Sequence, residues 1–343
     1  MKIIFHSNSL SERGTSVAIY EYMTHLQAYH EVAVTYDLTN LTNHEETINL
    51  FASKFEVIPY RNFRKSAARD MKSFDFGYAI KSGENDGILF PHIPTLVHVV
   101  FQKYDPHGYR YAYVSEWLAK IMQERQAQLF RNRLKFLQKE KPSYAFDFVP
   151  HIVNLPSPDT NVRKNFKIPE DALLGLRYGG YDSFDLKIAH DAVKRTLVEN
   201  PMAWFLMVNT KKFYDHPRLI YTKAVVSKQT KSNLLGSADF FIHGRKRGET
   251  FGLAIIEAMQ MGTPVFAWYG GIDQNHIQVL KRSSLYQSSA DLCSKIHELK
   301  DYSDIAHNVL KAKDFSPDIV MQKFNSIFID PTINYIQRTE ASN

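Results

Sequence analysis

The sequence predicts an α/β protein with two parallel sheets, each flanked by helices. Short apolar runs rich in β-branched residues alternate with stretches of helical period, and this alternation occurs twice along the chain. The 343 residues also exceed one typical domain, so two domains of about 150 residues each are expected. Hydrophobic residues make up 44% and charged residues 23% of the chain, which is ordinary globular composition.

The first half of the chain begins with a predicted buried strand over residues 2–6, a loop, and a helix over residues 15–29. Ser115, followed by Glu116 and Trp117, has the pattern of a helix N-cap, which predicts a helix extending to residue 128 or further. Additional strands are predicted at residues 31–36, 55–59, 87–90, 95–101 and 111–115.

Three prolines, Pro150, Pro156 and Pro158, indicate an extended linker between the two halves. We therefore expect an N-terminal domain over residues 1–150 and a C-terminal domain over residues 151–315. A helical segment over residues 316–343 is expected to return to the N-terminal domain. The second domain repeats the alternation, with strands predicted at 173–178, 204–208, 239–243 and 263–267 and helices at 184–198, 227–236 and 250–261.

Charge and cysteine content narrow the class of protein. The 42 basic and 36 acidic residues give a net charge of +6, which permits an anionic partner but, without a nucleic-acid-binding module, argues against nucleic acid. The single cysteine, Cys293, excludes an intramolecular disulfide and a cysteine zinc site, and indicates a cytoplasmic protein. No segment approaches the ~18 apolar residues of a membrane span, so no transmembrane segment is expected.

The segment from Asp239 to Gly271 carries the strongest chemical signal. An apolar strand ends in the basic loop 244–248, which holds three cations and leads directly into a predicted helix. Free backbone N–H groups at a helix start, together with the helix dipole, favour a phosphate-bearing ligand. Gly252 allows a ligand to approach the backbone closely. A solvated turn before a capped helix is the alternative interpretation.

Two glutamates, Glu249 and Glu257, belong to this segment. On a regular helix they lie about 12 Å apart along the axis and about 80° apart around it, too far to share a proton as a catalytic pair. They are instead suited to hold opposite ends of one elongated ligand, because carboxylates accept hydrogen bonds from sugar hydroxyls. Alternatively, Glu257 is a surface helix residue and Glu249 only favours the helix dipole.

The run Glu249–Met259, followed by Gly262–Val265 and the pair Gly270 and Gly271, resembles the signature of a large family of retaining glycosyltransferases with the GT-B fold. That signature, EGFGLxxLEAMAxGxPV followed by a glycine pair, contains two glutamates separated by seven residues. The resemblance implies two Rossmann-like parallel-sheet domains facing across an interdomain cleft. The N-terminal domain would bind the acceptor, and the C-terminal domain would bind a nucleotide-sugar.

The resemblance also implies roles for individual residues. Glu249 would act as the catalytic carboxylate at the donor sugar, and Glu257 would bind the ribose. The remaining donor-binding residues of this segment would be Arg245, Arg247, Thr250, Phe251, Gly252 and Leu253.

One departure from the family pattern concerns the diphosphate. The family usually has an arginine after the first strand of the C-terminal domain and a lysine a few residues later. Here Arg177 is followed only by the distant Lys187. We therefore expect Arg245 and Arg247 to replace this pair.

Three regions of the N-terminal half are weaker candidates. Gly14, in the loop between the first strand and the first helix, would face the donor phosphates by the family pattern, although a plain turn is an alternative. His98 lies in an apolar strand whose counterpart in the family often ends in a histidine near the donor sugar; a hydrogen-bonded core histidine is the alternative. The basic stretch 61–72 suits an anionic lipid surface or a charged acceptor, or is simply a solvated face.

The implied reaction is retaining transfer of a hexose-type sugar from a UDP- or GDP-sugar to a hydroxyl of a glycan, lipid or small molecule. No two aspartates lie two positions apart, so the Asp-x-Asp metal clamp of the other major glycosyltransferase fold is absent, and neither a metal nor another cofactor is expected. Retention would follow from departure and attack on the same face of the sugar, with the diphosphate taking the acceptor proton. A non-catalytic nucleotide-sugar-binding protein and a sugar-nucleotide epimerase of the same fold are the alternatives. A dehydrogenase would need a Gly-x-Gly-x-x-Gly turn that the candidate loops lack.

Overall fold

The computed structural model describes residues 1–133 and 146–342. The chain divides into two compact units, which are described separately below. Unit 1 comprises Met1–Ile152 and Pro317–Asn343, and unit 2 comprises Val153–Ser316. Within the described ranges, no helix is both long and apolar enough to cross a bilayer.

Unit 1 is a seven-stranded parallel sheet with the order β3-β2-β1-β4-β5-β6-β7. Its strands are β1 (Lys2–Ser7), β2 (Glu31–Asp37), β3 (Glu56–Tyr60), β4 (Phe76–Lys81), β5 (Thr95–Val99), β6 (Arg110–Tyr113) and β7 (Asp147–Phe148). Its helices are α1 (Gly14–Leu26), α2 (Glu45–Ala52), α3 (Phe63–Asp70), α4 (Glu116–Arg133), and, from the end of the chain, α11 (Pro317–Phe324) and α12 (Asp330–Ala341). As predicted, Ser115 caps α4, and its Oγ accepts a hydrogen bond from the Leu118 N–H.

The predicted strand over residues 87–90 is wrong. The strand that pairs with both β1 and β5 is β4, which the sequence analysis did not identify. Gly77 weakens the strand pattern of β4, yet a side chain there would collide with the Phe90 ring, since an added Cβ would lie 2.1 Å from it. Phe90 lies in a loop, and its ring packs in the core against Phe63. The backbone N–H of Phe90 donates to Thr95 Oγ1 instead of to a neighbouring strand.

The C-terminal helices belong to unit 1. A π-helical segment, Asn325–Ile329, joins α11 to α12. Phe324 and Phe328 are fully buried and contact the ring of Tyr78, with centroid separations of 5.6 and 5.9 Å. Burying these aromatic rings against the sheet attaches the end of the chain to unit 1.

Unit 2 is a six-stranded parallel sheet with the order β10-β9-β8-β11-β13-β15, together with a small parallel pair, β12 and β14. The strands are β8 (Leu173–Arg177), β9 (Ala203–Val208), β10 (Leu219–Thr222), β11 (Phe240–Ile242), β12 (Gly248–Glu249), β13 (Val265–Trp268), β14 (Asp273–Gln274) and β15 (Leu285–Tyr286). The helices are α5 (Lys187–Glu199), α6 (Lys228–Ser237), α7 (Leu253–Gln260), α8 (Asn275–Val279), α9 (Ser289–His297) and α10 (Ile305–Ala312).

The core of unit 2 consists of aromatic and aliphatic side chains between the sheet and its helices. Phe205, Phe240 and Phe266 are at most 2% exposed and pack with apolar residues of α5 and α9. All pairs of this sheet are parallel, so the loops after β8, β9, β11 and β13 leave from the same edge. That edge is where open α/β sheets bind ligands.

Candidate functional site

The loop after β11 occupies the carboxyl edge of the unit 2 sheet and runs from His243 to Gly252. The helix that follows it, α7, begins at Leu253 rather than near residue 250 as predicted. Glu249 therefore lies in β12, outside the helix. The expected spacing of Glu249 and Glu257 along one helical axis is wrong, because the chain makes an extra strand and a turn before α7 begins.

Glycines shape this loop because backbone segments meet there. Gly248 has a φ of 81°, and an added Cβ would lie 1.9 Å from the Asp273 carbonyl oxygen. Gly271 has a φ of 96°, and its Cβ would lie 2.4 Å from the Arg247 carbonyl oxygen. The second glycine of the predicted pair thus permits the β12–β14 pairing. Glycine is required here because two backbone segments pack closely, and the spacing of residues along the sequence does not reveal that contact.

Glu249 is the centre of a charged cluster. Arg245 Nη1 donates to Glu249 Oε2 at 2.9 Å, and His243 Nε2 lies 3.4 Å from Oε1. Burial alone would raise the pKa of Glu249, but contact with His243 and the charge of Arg245 lower it to about 2. Since 22% of its side chain remains exposed, Glu249 is an ionised carboxylate that a ligand can reach.

His243, which was not predicted as a site residue, lies directly after β11. The side chain is only 8% exposed, and neither ring nitrogen makes a hydrogen bond within the part of the chain that is described. Its ring lies 5.0 Å from that of His276, and burial together with His243 lowers the pKa of His276 to about 3. The position of His243 at the carboxyl end of a predicted strand was the feature of the sequence that could have indicated a site residue.

Arg245 and Arg247, both predicted to bind diphosphate, have different environments. Arg247 Nε donates to Asp273 Oδ2 at 2.5 Å, and Asp273 is only 1% exposed. This contact links the loop to β14. Arg245 contacts Glu249 and retains 28% side-chain exposure, so it brings its charge to the same place as the carboxylate.

The start of α7 presents backbone donors at this edge. Gly252 adopts a φ of 92° and caps the helix, and its carbonyl accepts the first helical bonds from Ile255 and Ile256. The backbone N–H groups of Leu253 and Ala254 come before the first of these bonds, and the first N–H groups of a helix have no carbonyl partner within the helix. A helix start of this kind attracts anions.

Thr250 and Phe251 connect the cluster to this helix. The Phe251 ring packs edge-on against Phe315 at 5.4 Å, and its carbonyl accepts a hydrogen bond from Asn275 Nδ2 at 2.7 Å. Thr250 is 9% exposed. Of the predicted donor-binding residues, these two therefore have mostly buried side chains.

Glu257 is buried rather than on the surface. Tyr178 donates to its Oε2 at 2.7 Å, and Lys231 Nζ lies 3.4 Å from its Oε1. Glu257 is 3% exposed and Lys231 is 7% exposed. Tyr178, directly after β8, and Lys231 of α6 fix the orientation of this carboxylate. Neither residue was predicted from the sequence.

Arg177, the residue at the position of the family arginine, is engaged inside unit 2. Its Nη1 donates to Thr210 Oγ1 at 2.6 Å and to the Asn209 carbonyl at 2.9 Å, while Nη2 donates to the Gly180 carbonyl and Ser183 Oγ. Burial lowers its pKa to about 10, which leaves it charged at neutral pH. Its guanidinium holds two loops of this edge together.

In unit 1, His98 is a core residue. It is fully buried; Tyr78 donates to its Nδ1 at 2.6 Å, and its Nε2 donates to the Val149 carbonyl at 2.8 Å. Burial lowers the pKa of His98 to about 4, so the ring is neutral at neutral pH. With both ring nitrogens bonded, this geometry favours the core alternative over a role at the donor sugar.

Gly14 is the first residue of α1, at the carboxyl edge of the unit 1 sheet. In the preceding loop, the Ser11 N–H donates to Ser16 Oγ. Ser11 is 2% exposed, and its Oγ lacks a hydrogen-bond partner within the described residues. The expectation that Gly14 faces the donor phosphates stays a prediction.

The chain resembles several solved structures in fold over nearly its whole length. HepE from Anabaena, in complex with UDP-glucose, shares 13% sequence identity and a TM-score of 0.61, with 100% of both chains covered. Sucrose-phosphate synthase from Thermosynechococcus elongatus shares 15% identity and a TM-score of 0.56 over 99% of this chain and 100% of that one. MnaA from S. aureus with UDP shares 11% identity and a TM-score of 0.60 over 96% and 97%. The predicted fold class, GT-B with two Rossmann-like parallel-sheet domains, is confirmed.

No protein-family model matches the sequence, and no curated protein sequence matches it.

Proposed function

We propose that the protein is a retaining glycosyltransferase that moves a hexose-type sugar from a UDP- or GDP-sugar to a hydroxyl of a glycan, lipid or small molecule. The observation that carries the proposal is the ionised Glu249, held by Arg245 beside the amide-rich start of α7. One short segment thus offers a carboxylate for a sugar and positive charge for a diphosphate. The GT-B fold and the glutamate motif support the same reading.

The donor would extend across the carboxyl edge of unit 2. Its diphosphate would meet Arg245 and the amides of Leu253 and Ala254, and its ribose would meet Glu257. Tyr178 and Lys231 would hold Glu257 in a fixed orientation, which lowers the entropic cost of binding. UDP is the first donor nucleotide to test, because HepE and MnaA, which share the fold, were solved with UDP ligands.

In the proposed reaction, the bond between the sugar anomeric carbon and the diphosphate oxygen breaks. The acceptor hydroxyl attacks the same face, and its proton passes to the departing diphosphate. The carboxylate of Glu249 would stabilise the positive charge that develops on the sugar, while Arg245 and the helix amides stabilise the leaving group. This electrostatic stabilisation would operate without a divalent metal.

The donor site can be tested with two adjacent cations. Arg245→Ala removes the guanidinium that contacts Glu249. Lys246→Ala removes an exposed ammonium group. The hydrogen bond from the backbone N–H of residue 246 to Asp185 does not involve the lysine side chain. Calorimetric titration with UDP should show binding weakened about tenfold or more in Arg245→Ala, the usual effect of losing a charge-assisted hydrogen bond. Lys246→Ala should bind like the wild type. Equal affinities in all three proteins would remove Arg245 from the donor site.

Turnover separates an enzyme from a binding protein. Wild-type protein incubated with UDP-glucose should slowly release UDP and glucose even without an acceptor, and the released sugar should retain its anomeric configuration. Binding of UDP without any release from a panel of UDP- and GDP-sugars would favour a non-catalytic binding protein. Conversion of the sugar without cleavage from the nucleotide would favour an epimerase.

A further inference from the structure

A pocket of about 440 Å³ lies in unit 1 and shares no residue with the proposed donor site. Arg64 and Ala68 of α3 line one side of it, and Asn85, Gly87 and His92 of the β4–β5 loop line the other. Arg64 lies in the first turn after the carboxyl end of β3, and Asn85 follows the carboxyl end of β4. The pocket therefore lies beside the carboxyl edge of this sheet, where open α/β sheets usually bind ligands.

The loop wall of this pocket is fixed by interactions of its own. Lys81, which is only 3% exposed, donates to the Ile88 carbonyl at 3.1 Å and forms an ion pair with Asp86. The Asn85 N–H donates to Asp105 Oδ2 at 2.9 Å. These bonds hold the wall in place before any ligand arrives, and preorganisation reduces the cost of binding.

Among the described residues that line the pocket, Arg64 is the permanent cation and none is acidic. The segment 61–72 contains five cations and a single acid, Asp70, which is paired with Arg69. Arg64 and Lys65 are both exposed, and neither forms an ion pair within the described ranges. The acid nearest on the loop, Asp86, is already neutralised by Lys81.

Arg64 and Lys65 differ in where they point on α3. The buried face of the helix is marked by Phe63 and Ala67, which pack in the core. Arg64 and Ala68, one turn apart, border the pocket, whereas Lys65 does not line it. A guanidinium that lines a pocket suits a phosphate or carboxylate, which it can bind through two parallel hydrogen bonds.

We infer that this pocket binds an anionic group, a phosphate or carboxylate, of the molecule that accepts the sugar. Arg64 makes the principal contact, and His92 lies on the opposite wall. The inference rests on the proposed function only in naming the ligand as the acceptor. A free phosphate ester and the phosphate of a lipid headgroup share this chemistry.

The test compares Arg64→Ala with Lys65→Ala, which change the net charge equally on one helix. Calorimetry at constant ionic strength would use glycerol 3-phosphate as the probe and glycerol as the neutral control. We expect the wild type to bind glycerol 3-phosphate and not glycerol, Arg64→Ala to bind about tenfold more weakly or worse, and Lys65→Ala to be unchanged. Equal losses in both variants would indicate a diffuse basic surface and overturn the pocket.

A second arm separates the two sources of phosphate. Vesicles of phosphatidylglycerol, with phosphatidylcholine vesicles as control, test the lipid source in a flotation assay. Binding to the anionic vesicles that Arg64→Ala weakens and Lys65→Ala does not would place a lipid phosphate in the pocket. Absence of binding to both glycerol 3-phosphate and phosphatidylglycerol would overturn the inference.

UDP titration of the same samples keeps the two proposals separate. If the wild type binds UDP and Arg64→Ala keeps full affinity for the anion, the proposed anion site is wrong and the proposed glycosyltransferase function is unaffected. If the wild type binds the anion through Arg64 but does not bind UDP, the anion site is supported and the proposed donor site is wrong. Melting temperatures of both variants, each altered at an exposed side chain, confirm that they are folded.

Discussion

Two buried histidines, one in each unit, have opposite environments. His98 in β5 has both ring nitrogens bonded, to Tyr78 and to Val149. His243, directly after β11, is almost as buried, yet neither of its ring nitrogens makes a hydrogen bond within the described residues. Buried polar groups are normally bonded, so the exception deserves a functional explanation.

The difference between the two histidines separates a structural from a functional position. His98 links two neighbouring parts of unit 1 and has no free capacity for a ligand. His243 lies 3.4 Å from a carboxylate that is itself partly exposed. A ring with unused hydrogen-bonding capacity beside an ionised acid is where a ligand completes the network.

The largest expected effect concerns the partner of His243. Glu249→Gln keeps the shape of the side chain and removes its charge, so stabilisation of positive charge on the donor sugar is lost. We expect release of glucose from UDP-glucose to fall about 100-fold, while UDP binding is retained. The exposed Glu298→Gln serves as the matched control in unit 2. Full activity of Glu249→Gln would show that the cluster around His243 is only structural.

The two histidines themselves give the second prediction. His98→Leu leaves the Tyr78 hydroxyl and the Val149 carbonyl buried without partners, which costs about 1–3 kcal/mol of unfolding free energy, and UDP affinity stays unchanged. His243→Gln should have a smaller effect on urea unfolding, because it loses only the 3.4 Å contact with Glu249, and it should lower turnover. If His98→Leu abolished UDP binding in a protein shown to be folded, the contrast between the two positions would fail.

The smallest effect is a pH dependence of stability. Burial lowers the pKa of His6 to about 3 and that of His98 to about 4, from 6.5 in both cases. Below pH 6.5 the unfolded chain therefore binds protons that the folded protein does not. The unfolding free energy should fall with decreasing pH, by at most about 1.4 kcal/mol per pH unit for each histidine.

Urea titrations at pH 7, 6 and 5 measure this slope. His98→Leu should have a shallower slope than the wild type, because one of the contributing histidines is gone. Substitution of the exposed His297 by Gln should leave the slope as it is. A slope that His98→Leu does not change would contradict the neutral, buried state of His98.

Much of the fold was predictable because its signals are local. The apolar runs of β1, β2 and β9 stand out in the sequence, as does Ser115 before α4. The strand β4 was missed because Gly77 interrupts its pattern, and the glycine is required by Phe90, thirteen residues away. The apolar run at 87–90 was mistaken for a strand because core burial in a loop gives the same composition.

For the candidate site, the sequence by itself predicted the residues Arg245, Glu249, Gly252 and Glu257, since they lie within one short run with a distinctive spacing. The tertiary structure decided their surroundings. In the structure, Tyr178 and Lys231 contact the carboxylate of Glu257, and Asp273 pairs with Arg247. Both ring nitrogens of His98 are hydrogen-bonded in the core of unit 1. These contacts join residues far apart in the chain, and their geometry depends on how strands and helices pack, which no local spacing encodes.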